Sequence, residues 1–221
     1  MIDIRIIIIM LILFFSIIIH EYAHGWMALR SGDPTAKYAG RLTLNPIPHI
    51  DIMGTIIVPV MLVASGTSFI FGWAKPVPVN PMNFRSPRID NLKVSAAGPV
   101  SNLILAFILT IAAAILPKYT AMSSNSVVLT ALSYGIYINI LLAVFNLIPL
   151  HPLDGSHVLE YFVPGSFLGT YKRIQQAGPV LLMLLIASGF ILNRPILFSI
   201  IGPPTEAIFS FYQKILSIFG A

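Results

Sequence analysis

The chain has no cysteine. That excludes disulfides, thiolate metal ligands and a thiol nucleophile, so any metal must be held by histidine or carboxylate. Charge is scarce as well: 13 Lys+Arg and 8 Asp+Glu make up 10% of the 221 residues, against about a quarter in a typical globular chain. With 57% hydrophobic residues and a mean hydropathy of +0.87, too little polar surface is left to cover a water-soluble fold. The natural solvent is a lipid bilayer. The net charge of +5 does not indicate nucleic acid, because the basic residues are scattered through short connections rather than gathered on one face. No internal repeat or low-complexity tract is visible, which leaves a single membrane domain over residues 1–221 as the economical organisation.

Long apolar runs supply what charge does not. Ile6 to Leu29, at about 1.5 Å per residue, predicts about 36 Å of helix, enough to cross a membrane with some tilt. It outlasts a signal-peptide core and ends in HEYAHGW rather than in a cleavage site of small residues. Val94 to Leu116 and Val127 to Leu150 read as two further spans. Between them and the first lies an apolar insert, Ile52 to Trp73, interrupted by Pro59 and by Ser65-Gly66-Thr67-Ser68. Arg41-Leu42-Thr43-Leu44 and Lys75-Pro76-Val77-Pro78-Val79 alternate like short strands, the prolines suiting an edge. A last apolar segment, from Ala177 to Gly202, is broken at Asn193-Arg194-Pro195. The amphipathic tail beyond Pro203-Pro204 fits either an interfacial helix or a final span. The expected fold is an all-α polytopic membrane protein: a three-helix transmembrane core within a catalytic region of about 6–160, a re-entrant insert, short membrane-associated β-strands, and one or two further C-terminal helices at about 177–219.

His20-Glu21-Tyr22-Ala23-His24 is an H-E-x-x-H pattern inside the first apolar run. Positions i and i+4 lie about 40° apart around a helix, so both imidazoles face one way and can ligate one ion, with Glu21 beside it as a general base. Chance would explain three matched residues in a soluble helix, but ionisable groups cost several kcal/mol to place in a bilayer and mark function by default. A third ligand is needed to leave one tetrahedral position open to water, and the carboxylates, His49, His151 and His157 are the candidates. Asp154 is the strongest. Pro149, Pro152 and Gly155 open the helix end around it, and opened backbone can aim a carboxylate inward, although Leu153-Asp154-Gly155 alone would read as a surface turn. Asn146, still within the apolar run, could hydrogen-bond a substrate carbonyl or equally join two helices.

HEYAH in a hydrophobic helix, with Asn146-Leu147-Ile148-Pro149 leading to Leu153-Asp154-Gly155, resembles the site-2 protease family of intramembrane zinc metalloproteases. The stretches Gly40 to Pro46, Gly72 to Pro81 and Ala97 to Asn102 are similar to a compact branch without PDZ or CBS domains, so the likeness covers roughly residues 15–160. The resemblance implies His20, His24 and Asp154 as ligands of one Zn²⁺ per chain, Glu21 as catalytic base and Asn146 near the reacting carbonyl. It implies membrane-embedded protein substrates as partners, cleaved in or near their transmembrane segments. Arg41, Leu42, Thr43, Leu44, Val77 and Val79 are then candidates to hold an unwound substrate by strand addition. A His49-x-Asp51 stretch shared with that branch has no assigned role.

A shared ion puts HEYAH and Asp154 at one depth. The two later spans already return the chain to its starting side, so the insert must enter and leave by the same face, which Pro59 and Gly66 would permit. Arg30, Lys37, Arg41, Lys75, Arg85, Arg88, Lys93, Lys172 and Arg173 then fall on the catalytic side and Lys118 on the other, placing the site toward the cytoplasm of a cell (inner) membrane. A membrane metal transporter or metal-binding scaffold is the rival reading. It is disfavoured because the polar groups cluster at one hydrolase-like site and form no ladder across the bilayer.

Overall fold

The computed structural model describes residues 4–65, 72–120, 126–191 and 196–219. Its regular elements are all helical, with no strand among the described residues. Three helices are long and apolar enough to cross a membrane: α1 (Ile4–Arg30), α4 (Pro87–Tyr119) and α5 (Val127–Asn146). They coincide with the three expected spans. Contacts of α1 with α4 run His24 to Val94, His20 to Gly98 and Ser16 to Asn102, so the two are antiparallel; Asn139 of α5 meets Asn102 of α4 and Ser16 of α1 at one level. Small residues let these backbones approach. Ala106, Ala113, Ile136 and Ile140 form the buried core of the α4–α5 pair.

Short elements on the catalytic side join the spans. Helix α2 (Thr35–Tyr38), a 3₁₀ turn (Ile47–His49) and a π-helical stretch (Ile52–Ile57) lead into α3 (Val58–Ala64). The chain then returns to where it left: the Trp73 N–H donates to the Gly54 carbonyl at 3.1 Å, and the indole lies against Gly54 where any Cβ would collide. Gly66, expected with Pro59 to permit the return of the insert, lies outside the described residues.

The expected strands are not present. Residues 41–44 form bends held by local bonds, with Thr43 Oγ1 accepting from Asn45 N–H, Asn45 Oδ1 from Ile47 N–H, and the Thr43 carbonyl from His49 Nε2. Such side-chain bonds compete with a ladder. Residues 72–80 run as an extended segment that joins no ladder, because Pro76 and Pro78 have no N–H and the donors of Lys75, Val77 and Asn80 go to the His49 carbonyl, the Glu21 carboxylate and the Asp33 carboxylate.

Beyond the third span, α6 (Asp154–Phe162) and α7 (Gly165–Gln175) lie on the catalytic side, followed by α8 (Gly178–Ile191) and α9 (Ile196–Ile218). Helix α9 runs through Pro203 and Pro204, where the sequence suggested a break. Thr205, next after them, donates its Oγ1 to the Ile201 carbonyl one turn back at 2.6 Å. The face carrying Ile208, Phe209, Tyr212 and Leu216 packs on the α4–α5 core, and the Tyr212 hydroxyl donates to the Leu103 carbonyl at 3.0 Å. Asn193, Arg194 and Pro195 lie outside the described residues.

Candidate metal centre and active site

His20 and His24 project from one face of α1, as their spacing requires, and Asp154 reaches them from the first turn of α6. The approach depends on Gly155, whose Cα presses on the Leu147 carbonyl where a Cβ would collide. Gln175 of α7 secures the preceding loop by accepting from His151 N–H at 2.7 Å and donating to the Pro149 carbonyl at 3.2 Å. The resulting geometry is compact. His20 Nε2 lies 3.0 Å from His24 Nε2, and Asp154 Oδ2 lies 3.1 Å from the first and 3.3 Å from the second.

The surrounding bonds show which atoms are acceptors. His24 Nδ1 lies 2.7 Å from the Val94 carbonyl, which can only accept, so that nitrogen carries the proton. His20 Nδ1 lies 2.7 Å from Asn102 Oδ1. The Asn102 orientation follows from its amide nitrogen, which donates to the Ser16 carbonyl at 3.2 Å and to Asn139 Oδ1 at 2.8 Å. Asn139 donates in turn to Ser16 Oγ and the Gly135 carbonyl. Both Nε2 lone pairs therefore point at each other and at Asp154 Oδ2, a buried oxygen without a hydrogen-bond donor. Three converging lone pairs fit a cation. Ligands about 2.0 Å from a tetrahedral zinc stand about 3.3 Å apart, close to the separations seen. Gly98 keeps the space clear: a Cβ there would lie 2.5 Å from His24 Nε2 and 2.6 Å from His20 Nε2. Among the described residues this is the one group of three or more such side chains compact enough to hold an ion. His49 is buried in the 41–49 loop, while His151 and His157 pack edge to face with ring centres 6.0 Å apart, away from the cluster.

Glu21 stands beside the cluster, its Oε2 accepting from the Val77 N–H at 2.7 Å. His20 and Glu21 border a cavity of about 360 Å³ walled by apolar side chains of α1, α5, α8 and α9, among them Leu13, Ile17, Leu141, Phe145, Leu182 and Ile201. Asn146 lines it too, with its Nδ2 donating to the Leu142 carbonyl at 3.0 Å. From the extended segment the lining residues are Gly72, Trp73 and Ala74. Arg41, Leu42, Thr43, Leu44, Val77 and Val79 do not line it. Arg41 is buried with its guanidinium on the Lys75 carbonyl, Leu44 is exposed, and Val79 packs on Ala28, Phe84 and Val94. Asn102 belongs to a stretch the sequence reading singled out without giving it a role. Asn139 carried one faint signal, a polar amide in an apolar span.

Residues 118–187 match the family described as Peptidase family M50. A Bacillus subtilis (strain 168) protein provisionally named zinc metalloprotease YwhC is 38% identical over 204 residues, covering 90% of this chain and 88% of that protein. The chain belongs to peptidase family M50. It is a zinc metalloprotease of the site-2 protease family. The protein provisionally named zinc metalloprotease Rip2 of Mycolicibacterium smegmatis is 31% identical over 145 residues, 66% of this chain and 53% of the relative. A similarly named protein of Methanocaldococcus jannaschii, MJ0611, is 30% identical over 147 residues, 65% of this chain and 64% of the relative. No solved structure matches the chain at a significant level.

Proposed function

We propose that this M50 metalloprotease is an intramembrane endopeptidase that cuts membrane-anchored proteins within or beside their spanning segments, from an active site facing the cytoplasm. The observation that carries this reading is the convergence of three acceptor atoms with Glu21 beside them, His20 and Glu21 bordering an apolar cavity, in a chain with helices long enough to span. Zinc held by His20, His24 and Asp154 would supply Lewis acidity, lowering the pKa of a water at the open position to about 7 and polarising a carbonyl. Glu21 takes a proton from the attacking water and returns it to the leaving amine. Asn146 offers its amide to the substrate carbonyl when that contact replaces the bond to Leu142.

A transmembrane helix has its carbonyls bonded internally, so the residues to be cut must be drawn out extended. Trp73 already spends its N–H on Gly54 and its carbonyl on Thr55 Oγ1, so Ala74, which also lines the cavity, supplies the backbone alongside which those residues lie. The test is direct. Wild type and Glu21→Ala should each hold about one zinc, and only wild type should cut a model transmembrane peptide, in a chelator-sensitive way. Equal cleavage by both would reject the assigned base, and metal flux into liposomes without cleavage would favour a transporter.

A further inference from the structure

Three stretches of the sequence stayed outside the chemistry: Arg41 to Pro46, His49-x-Asp51 and Lys75 to Pro81. The structure joins them around one hydrogen bond, from the Val77 N–H to Glu21 Oε2 at 2.7 Å. In Pro76-Val77-Pro78 only the middle residue has an N–H, so a single donor is presented to α1. Both flanking rings fix φ near −65°, and Lys75 and Val77, each preceding a proline, are confined to extended conformations. The segment is therefore stiff before it meets Glu21.

It is also anchored at both ends. At Lys75 the N–H donates to the His49 carbonyl at 2.9 Å and the carbonyl accepts from Arg41 Nη2. His49 is itself held by its Nε2 on the Thr43 carbonyl at 2.9 Å. At the other end Asn80 N–H donates to Asp33 Oδ2 at 2.7 Å, and Asn83 Nδ2 donates to Asp33 Oδ1 at 2.8 Å. Gly25, one turn beyond Glu21, lets the segment lie against α1: a Cβ there would stand 3.0 Å from Val77 Cγ1 and 3.2 Å from the Ala36 methyl.

We propose that the Val77 peptide N–H is the positioning group for the Glu21 carboxylate, and that Arg41 is a positioning residue acting through Lys75. One carboxylate oxygen is held by a fixed donor, which leaves the other to face the water and keeps the side chain from swinging onto the ion as an extra ligand. The inference rests on Glu21 being the base. Loss of a fixed orientation lowers turnover and leaves substrate binding unchanged, because a misplacement of about 1 Å can cost about 100-fold in rate.

The test replaces Val77 by its α-hydroxy acid in the full-length protein, which deletes the N–H and keeps the side chain. Expected are a kcat about 10- to 100-fold lower, an unchanged KM, an unchanged zinc content, and a shifted infrared carboxylate band that is missing from Glu21→Gln. Arg41→Ala should lower kcat in the same way, and Arg41→Lys, which still offers a donor to the Lys75 carbonyl, should restore most of it. Full kcat in the ester protein, with Glu21→Gln inactive, would overturn this inference alone. Loss of zinc from the ester protein would also overturn it, by placing the effect at the metal. A fully active Glu21→Gln would overturn the functional reading beneath it.

Discussion

The decisive residues are small or neutral as often as charged. Gly98 faces two imidazole nitrogens at distances no methyl group can share, so Gly98→Ala should bind zinc far more weakly while the spans still insert, as metal titration of the purified protein would show. Asn102 and Asn139, both fully buried, set the His20 ring through a relay across three helices. Outer partners of metal-bound histidines typically account for 10–100-fold in affinity. Asn102→Ala should therefore weaken zinc binding by about that factor, and Asn139→Leu by less, since it acts one bond further away; competition with a chromogenic chelator measures both. At this scale the sequence was legible where chemistry follows period or punctuation. HEYAH shows its aligned imidazoles through helical spacing, and Asp154 is marked by the prolines and glycine that open the chain around it. The relay was not legible, because an asparagine inside an apolar run looks the same whether it joins helices or orients a ligand.

At the scale of elements, the three spans were readable from apolar length alone, and the extended segment was misread because alternating prolines imitate the rhythm of an edge strand. What holds that segment is a set of individual side chains, which no periodicity reveals. Asp33 is the clearest of them. Burial would raise its carboxyl, but the Thr35 hydroxyl, the Asn80 N–H and the Asn83 amide hold it below the ordinary carboxylate range. A carboxylate whose folded pKa lies below its unfolded value of about 3.9 adds stability above that pH, and the contribution fades as the pH falls further through the folded value. Asp33→Asn should thus destabilise the fold at neutral pH by about 1–3 kcal/mol, the cost of leaving buried donors without an acceptor, and lower the melting midpoint. The gap to wild type should close below about pH 4, as thermal scans in detergent across pH would record.

For the whole molecule, an ion held by His20, His24 and Asp154 would also be a clasp between the first span and the polypeptide that follows the third. Ligation of the folded state alone stabilises it by about 4 kcal/mol when free ligand is 1,000 times its dissociation constant. Chelation should consequently lower the melting midpoint of the entire helical assembly, and graded zinc should restore it in a concentration-dependent way. A midpoint indifferent to zinc would mean that packing of α4, α5 and α9 sets stability alone. The clasp also imposes an order on biosynthesis. The ribosome delivers both imidazoles with the opening helix, yet Asp154 emerges only after α1, α4 and α5 have all been made. A nascent chain threading through the insertion machinery, among the membrane segments of other newly made proteins, therefore stays harmless until those three helices are in place.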